Sequence, residues 1–172
     1  MGEDTVNLPH NNEAAMEIDE RAFRTTIGLF ATGVTVVSAE AGGTIHGMTA
    51  NSVTSVSLNP LLLLICVDRK AHMAGAISAA GRFAVSILRD DQEFVSRHFA
   101  GQAGSNIPPT FIPFGSVHRL EECMAAIACV SEHVFDGGDH IIVLARVEAL
   151  WKAENVGTPL LYFAGAYRRI AP

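Results

Sequence analysis

The sequence predicts a mainly β fold, an antiparallel barrel that is closed or nearly closed and covered by two or three helices. Strand-like segments outnumber helical ones, and most of them follow one another as hairpins. A doubly wound α/β sheet is the weaker alternative, because the chain lacks regular strand and helix alternation. It also has no GxGxxG segment after its first strand and no P-loop.

Composition indicates one compact intracellular domain. The chain has 172 residues, 49% of them hydrophobic and 17% charged, which is enough apolar material for a core. A formal charge of -6 argues against a nucleic-acid or acidic-membrane partner. The three cysteines form no CxxC pair, and no signal peptide or membrane span is recognisable, so a cytoplasmic protein is expected. Residues 1–15 are expected to form a mobile tail before a single domain at 16–172.

The first elements are a helix and a hairpin. Asp19 is expected to cap an amphipathic covering helix that ends at Gly33. Its apolar face carries Phe23, Ile27 and Phe30. After it, the β-branched run 34–38 and the segment 44–48 read as a hairpin around a Gly-Gly turn.

The middle of the chain alternates strands and short helices. The apolar run 61–67 predicts a buried strand, 72–80 a short helix closed by Gly81, and 83–88 another strand. Asp90 and Glu93 have the spacing of a capping box for a second covering helix that ends near Gly101. The proline-rich segment 101–114 is expected to be an active loop or lid.

The last third predicts a long hairpin and one more strand. Segments 124–135 and 140–151 flank the sequence DGGD, a strong turn signal. Segment 160–170 is expected to supply a single final strand.

A polar stretch before the strand at 61–67 suggests a ligand. Residues 47–57 read GMTANSVTSVS, and buried hydroxyls and amides cost free energy unless they find partners. A polar ligand would supply such partners. The alternative is a half-exposed strand, since Ser and Thr are common on β surfaces.

Seven segments together resemble the flavin reductase-like family. They are FATGVTVVS, HGMTANSVTSVSLNP, LLICVDR, GRFAVSIL, SRHFAG, GGDHIIVLARVEAL and PLLYFAGAYRRI, and the resemblance covers roughly residues 23–170. In particular, the chain resembles the small reductase component of two-component flavin-dependent monooxygenases. The resemblance implies an FMN-binding split β-barrel with antiparallel Greek-key strands, usually a homodimer. It also implies that NADH or NADPH reduces FMN or FAD, which then diffuses to a partner oxygenase.

The resemblance also implies a cofactor site. The residues placed at the flavin ring, ribityl chain or phosphate are Gly47, Met48, Thr49, Ala50, Asn51, Ser52, Cys66, Val67, Asp68, Lys70, His72, Phe83, Ala84, His98 and Phe99. Backbone N–H groups, hydroxyls, amides and basic side chains suit the carbonyls, ring nitrogens and phosphate of a flavin. Without the resemblance, Cys66, Phe83 and Phe99 would be read as core residues.

A second set is implied for the nicotinamide. It consists of Gly138, Asp139, His140 and Tyr167. From the residues alone, GGDH is a hairpin turn with a polar exit. A metal site built from His133, Asp139 and His140 is a further alternative, disfavoured because the chain offers no standard ligand spacing.

The expected function is therefore NAD(P)H-dependent flavin reduction, with hydride passing directly from nicotinamide C4 to flavin N5. Such a reaction needs positioning of two rings and exclusion of water, so no catalytic acid or base is assigned. The rivals are a flavin carrier or storage module without turnover, and a purely structural barrel.

Overall fold

The computed structural model describes residues 18–102 and 109–170. Its helices are α1 Glu20–Ile27, α2 His72–Ala80 and α3 Glu93–Phe99. Its strands are β1 Thr32–Gly33, β2 Thr35–Ala41, β3 Thr44–Ala50, β4 Val53–Leu58, β5 Leu61–Asp68, β6 Arg82–Ile87, β7 Phe111–Phe114, β8 Val117–Leu120, β9 Ala125–Gly137, β10 His140–Lys152, β11 Leu161–Phe163 and β12 Ala166–Arg168. All strand pairings between them are antiparallel, which confirms the predicted fold class.

The main sheet is forced to curl by its own connectivity. Its seven strands run in the order β3-β2-β6-β9-β10-β5-β4, so β3 and β4 are the two edges. In a flat sheet those edges would lie about 29 Å apart, six strand spacings. Only Asn51 and Ser52 separate the two strands, and the step from Ala50 to Val53 spans at most about 11 Å. The sheet must therefore roll up until its edges meet at Asn51 and Ser52.

The concave side of the rolled sheet holds the main core. Buried side chains from β2, β3, β5, β6, β9 and β10 meet α2 there, including Val37, Ile65, Ile77, Phe83 and Val143. On β5 every second residue points inward, which is the period of two expected for a strand. Each fully buried side chain of this kind contributes about 1.5–3 kcal/mol, so this core supplies much of the folding free energy.

The convex side of β2 and β6 carries a second layer, which contains α3 and the β7–β8 hairpin. Two buried hydroxyls attach that hairpin to the sheet: Ser38 Oγ donates to His118 O at 2.6 Å, and Ser86 Oγ accepts from Leu120 N at 3.1 Å. Both hydroxyls are thereby satisfied, so polar residues at these buried strand positions carry no desolvation penalty.

Helix α1 departs from its predicted length and role. Asp19 caps it as predicted, since its Oδ1 accepts from Ala22 N at 2.6 Å. The helix ends at Gly28 and not at Gly33, because the following residues turn into β1. It contains no buried residue, and Phe23 and Phe30 are 67% and 71% exposed. Within the single chain its apolar face is thus uncovered.

Three other predictions need correction. Asp90 does not cap α3; its carboxylate accepts from Thr158 Oγ1 at 2.6 Å, and the helix begins after Gln92. Segment 160–170 is a hairpin, β11–β12, because Ala164 and Gly165 adopt the positive φ angles of a tight turn. In the predicted lid, 111–114 is a strand paired with β8, while 103–108 lie outside the described residues.

The predicted hairpins at the two diglycine turns are confirmed. Gly42 and Gly43 both have positive φ, which permits the tight turn between β2 and β3. The β9–β10 turn, at Gly138 and Asp139, is in addition clamped to the end of β5. Arg69 donates from Nε to Gly138 O at 2.8 Å and from its backbone N to Asp139 O at 3.0 Å. Asp136 completes the clamp, 3.0 Å from the Arg69 guanidinium.

The clamp gives Asp136 a low pKa. Its carboxylate accepts a hydrogen bond from Gly138 N at 2.8 Å and lies beside Arg69; both contacts favour the ionised form and lower its pKa below the ordinary 3.8. The contribution of the ionised carboxylate to the fold is therefore fully present at neutral pH, above the ordinary pKa of 3.8. It is lost progressively as the pH falls from about 3.8 through the lowered pKa.

We predict that the Gly138 amide resonance titrates with a midpoint below pH 3.8, because its acceptor protonates there. The measurement is a pH series of amide NMR spectra, with Gly115 in the β7–β8 turn as the reference for global unfolding. In Asp136→Asn the Gly138 titration should shrink to the smaller response caused by the neighbouring Asp139. A midpoint at or above pH 3.8 in the unmodified protein contradicts the clamp.

Candidate functional site

The meeting point of the two sheet edges exposes polar groups. Ser52 O accepts from Cys66 N at 3.1 Å, which joins the crossing segment to β5. Thr35 Oγ1 donates to Ala50 O at 2.7 Å on the other side. The side chains of Asn51 and Ser52 are exposed and make no hydrogen bond to another described residue. The backbone is thus fixed, and these two side chains remain available for a ligand.

A groove of about 1040 Å³ opens at this point. One part of its wall is apolar and comes from α1, with Phe23 and Ile27. Another part is polar, with Thr32, Asn51 and Ser52. Thr32 Oγ1 is buried and has no hydrogen-bond partner among the described residues, an unusual state for a buried hydroxyl. The groove therefore offers an apolar face and unfilled hydrogen-bonding positions together.

Strand β5 connects this groove to the β9–β10 turn. Asp68, at the end of β5, is paired with His140, and Cys66 is paired with Ile142 on one side while bonding to Ser52 on the other. The predicted flavin residues at 51–52 and 66–68 and the predicted nicotinamide residues at 138–140 therefore share one end of the sheet. The structure brings these two sets together.

The turn itself is polar and charged. His140 Nδ1 and Asp139 Oδ1 lie 2.7 Å apart, and this hydrogen bond lowers the pKa of Asp139 below its ordinary value. Lys70 lies two residues after the strand end, and its backbone N donates to Asp68 Oδ1 at 2.7 Å. His72 is exposed in the first turn of α2. This end of the sheet thus carries basic side chains that an anionic group could reach.

Residues 47–50 lie against α3. Thr49 Oγ1 donates to Ser96 O at 2.6 Å, so this hydroxyl is already satisfied. Phe99 packs on Gly47 so closely that a Cβ there would overlap the aromatic ring. His98 meets the ring of Phe99 edge-on at 4.9 Å. Gly47 is therefore required by close packing, whatever it contributes to a ligand.

Met48 and Ala50 point the other way. Both pack against the barrel core, Ala50 as a buried residue and Met48 as a half-buried one. From these two positions the backbone, rather than the side chain, is the part that a ligand on the convex side could contact.

Several predicted site residues lie inside the core. Phe83, Ala84 and Val67 are each 0% exposed, so no ligand on the surface can reach their side chains. Phe83 and Val67 belong to the main core, and Ala84 packs beneath the β7–β8 hairpin, so only the backbone of these three residues could take part in a cofactor site. Cys66 is half-buried, and burial raises the pKa of its thiol, which disfavours a reactive thiolate.

Tyr167 packs against a different element from the other three residues predicted for the nicotinamide. Its hydroxyl lies 2.8 Å from Ser96 Oγ, and the guanidinium of Arg97 sits 5.0 Å above its ring. Tyr167 thus packs with α3, whereas Gly138, Asp139 and His140 pack with β5. No group of three or more His, Cys, Asp or Glu in the described ranges could hold a metal ion, and no described helix is long and apolar enough to cross a bilayer.

The sequence reasoning missed two contributors. Arg69 has no role predicted from the sequence, yet it fixes the β9–β10 turn; the acidic DGGD segment opposite is the available signal. The groove wall from α1 is also not predicted, because the spacing of Phe23 and Ile27 indicates a face that packs on a core. Periodicity alone does not distinguish an apolar helix face that packs on the core from one that stays exposed.

The chain matches known proteins over most of its length. Residues 27–171 match the family described as the flavin reductase like domain. An NADH-dependent flavin reductase of a Rhodococcus species is 38% identical, covering 92% of this chain and 93% of that protein. The reductase component of 4-hydroxyphenylacetate 3-monooxygenase from Thermus thermophilus is 39% identical, covering 88% of this chain and 97% of that protein.

The fold is shared with solved members. The NADH:FAD oxidoreductase of Streptomyces globisporus, solved in complex with NAD and FAD fragments, superposes with a TM-score of 0.80 at 34% identity. The alignment covers 92% of this chain and 98% of that one. Fold, sequence and the convergence of the polar segments on one end of the barrel agree, and the chain therefore belongs to the flavin reductase-like family.

Proposed function

We propose that this protein is an NAD(P)H-dependent flavin reductase, which transfers hydride from the nicotinamide to FMN or FAD and supplies reduced flavin to a partner oxygenase. Its relatives carry the names of NADH-dependent flavin reductases and of a monooxygenase reductase component. The observation that carries the proposal is the groove at the sheet closure, where Asn51 and Ser52 present uncommitted polar side chains opposite an apolar wall.

The groove fits a flavin chemically. An isoalloxazine ring needs apolar surface for its faces and hydrogen-bonding groups for its edge. Phe23 and Ile27 provide the first, and the exposed side chains of Asn51 and Ser52 provide the second. The backbone of 47–50 is proposed to contact the ring from the β3 side. We do not retain the side chains of Phe83 and Ala84 in this site.

The flavin phosphate is proposed to bind at the end of β5. Lys70 and His72 are exposed there, next to the uncapped first turn of α2. Positive side chains and free N–H groups at a helix start favour an anion. Asp68 lies between them and the groove, held by Lys70 N and so fixed in orientation.

The nicotinamide is proposed to approach from the β9–β10 turn. Gly138, Asp139 and His140 lie beside the end of β5, and Arg69 holds the turn in place through two backbone carbonyls. When flavin and dinucleotide are bound, hydride passes from C4 of one ring to N5 of the other. The chain's own contribution is to orient the rings and exclude water, and no side chain is assigned as acid or base.

We further propose that the protein works as a homodimer in the cytoplasm. On β5, Leu62 and Leu64 point to the convex side, where a solvated antiparallel sheet would carry polar residues. Leu58 and Leu61, at the adjacent turn, are 83% and 44% exposed. A second copy is the proposed cover for this face. The free thiols Cys66, Cys123 and Cys129 suit a reducing compartment.

Steady-state turnover tests the proposed function. Purified protein should oxidise NADH or NADPH with FMN, FAD or riboflavin as acceptor, followed by loss of the nicotinamide absorbance. Flavin binding without turnover, for every combination of nicotinamide and flavin, would favour the carrier alternative. Absence of both flavin binding and turnover would leave only a structural barrel.

For the flavin site, we predict that the double substitution Asn51→Ala and Ser52→Ala weakens flavin binding at least about tenfold, because a hydrogen bond lost to a polar or charged ligand costs about 1–3 kcal/mol. The measurement is fluorescence titration with FMN and FAD. The fold should persist, since both side chains are exposed. Asn155→Ala with Ser116→Ala, exposed residues outside the groove, is the matched control. Unchanged affinity in the first variant contradicts the assignment.

For the nicotinamide side, we predict that His140→Ala raises KM for the reduced dinucleotide or lowers kcat, while flavin affinity stays within about twofold. The reason is that His140 lies on the turn and not in the groove. His118→Ala on β8 is the control, since His118 lies beside Glu40 away from this end. Equal weakening of both ligands, with a lower Tm, would mean that His140 only supports the turn. Unchanged kinetics with NADH and NADPH would refute the role altogether.

For the dimer, we predict a mass in solution of twice the 18.3 kDa chain by light scattering at micromolar concentration. Leu64→Glu should shift the protein to monomer, because it buries a charge in the proposed interface. Ser78→Glu on exposed α2 surface should not. A monomer that still binds flavin would defeat the proposal.

A further inference from the structure

A second, smaller cleft lies beside the groove, between α3 and the β11–β12 hairpin. We call it the α3 cleft. It has a volume of about 290 Å³ and is lined by Glu93, Arg97, Gln102, Tyr162, Gly165, Ala166 and Tyr167. None of the site residues assigned above by resemblance lies in it except Tyr167. Its ligand is therefore an open question.

The α3 cleft is continuous with the groove at the sheet closure. Tyr162 and Gly165 line both. A ligand held in the groove could thus extend past Tyr162 towards α3 without leaving the surface. Both substrates of a flavin reductase can have such an extension: NADH always carries an adenosine diphosphate portion, and FAD carries one where FMN does not.

The aromatic side chains in the cleft are suited to a flat base. Tyr162 and Tyr167 pack edge-to-face with ring centroids 5.4 Å apart, and the Tyr167 hydroxyl is held 2.8 Å from Ser96 Oγ. The Arg97 guanidinium lies 5.0 Å from the centroid of Tyr167. Purine bases stack on tyrosine rings and on guanidinium planes alike, and both surfaces are already fixed in position here.

The charged side chains favour a ribose over a phosphate. Arg97 donates from Nε and Nη2 to Glu93 Oε1 at 2.8 and 2.7 Å, and from Nη1 to Gln102 Oε1 at 2.9 Å. Glu93 Oε2 accepts no hydrogen bond from any residue in 18–102 or 109–170. An acidic side chain with a free oxygen accepts from the hydroxyls of an adenosine ribose, whereas a 2′-phosphate needs an unpaired arginine.

We propose that the α3 cleft binds the adenosine end of a substrate, from either NADH or FAD, with the base against Tyr162 and Tyr167 and the ribose hydroxyls on Glu93. This assignment rests on the proposed flavin reductase function. It moves Tyr167 from the nicotinamide ring to the opposite end of the ligand. If the adenosine belongs to the reductant, Glu93 also selects NADH over NADPH. Its negative charge repels the 2′-phosphate of NADPH, and its ion pair with Arg97 occupies the guanidinium that would otherwise bind that phosphate.

The test compares substrates that differ only by the adenosine. In one arm, FMN is the acceptor and the reductant is NADH or reduced nicotinamide mononucleotide. In the other arm, reduced nicotinamide mononucleotide is the reductant and the acceptor is FAD or FMN. Glu93→Ala should raise KM about fivefold for NADH in the first arm or for FAD in the second, and leave the adenosine-free pair unchanged. The arm that shows the loss identifies the source.

The matched control is Glu122→Ala, which removes a carboxylate paired with Arg89 outside both the cleft and the groove. This control variant should leave KM unchanged for NADH in the first arm and for FAD in the second. No change for NADH and FAD in Glu93→Ala overturns the proposal, as does an equal loss with the adenosine-free pair, which would indicate general damage to the site.

Two further measurements complete the test. Calorimetric titration with AMP measures binding to the α3 cleft without turnover, so it separates failure of the cleft from failure of the proposed reaction. Unmodified protein should bind AMP at least about fivefold more tightly than Glu93→Ala. Equal affinity of the two proteins for AMP contradicts the site. If the first arm carries the loss, Glu93→Gln should raise kcat/KM for NADPH about fivefold by removing the negative charge that repels the 2′-phosphate. Unchanged NADPH use in that case would overturn the ribose role of Glu93.

Discussion

The connection of β3 to β4 through two residues is the constraint on which the rest of the structure depends. These strands are the opposite edges of a seven-stranded sheet, and so short a link leaves the sheet no conformation except a rolled one. Rolling creates the interior that Phe83, Ile65 and Val143 fill, with α2 packed among them. It also creates the one place where the chain passes from one edge to the other.

That passage explains why polar residues occur where they do. At Asn51 and Ser52 the chain leaves its partner β2 and joins β5, so the ladder is interrupted and side chains there face solvent. Elsewhere in the stretch, Thr49 donates to Ser96 O and Ser57 Oγ accepts from Asn59 N, while Thr54 and Ser55 are exposed on the edge strand β4. The polarity of GMTANSVTSVS thus has three causes: structural hydrogen bonds, an exposed edge strand, and a small set of groups left open for a ligand.

The site is assembled from segments that are distant in sequence but adjacent in register. Strand β5 is paired on one side with the edge strand β4 and on the other with β10, so it carries Ser52 and His140 to the same end of the barrel. Arg69 then fixes the β9–β10 turn at that end. Two rings that must stack for hydride transfer are best served by a rigid support of this kind, because positioning is the main contribution that such an enzyme makes.

The sequence by itself determined the local elements and the family. Diglycine turns, strand periodicity and the cap at Asp19 are short-range features, so they were readable from the chain. Tertiary structure decided which of the expected site residues are accessible. Phe83 and Ala84 stand in a family motif, yet complete burial removes their side chains from the site; Tyr167 lies with α3 and not with His140; and α1 presents Phe23 to a groove instead of a core. These outcomes depend on how the sheet curls and on which face each element covers, and such long-range contacts leave no periodic signal in one sequence.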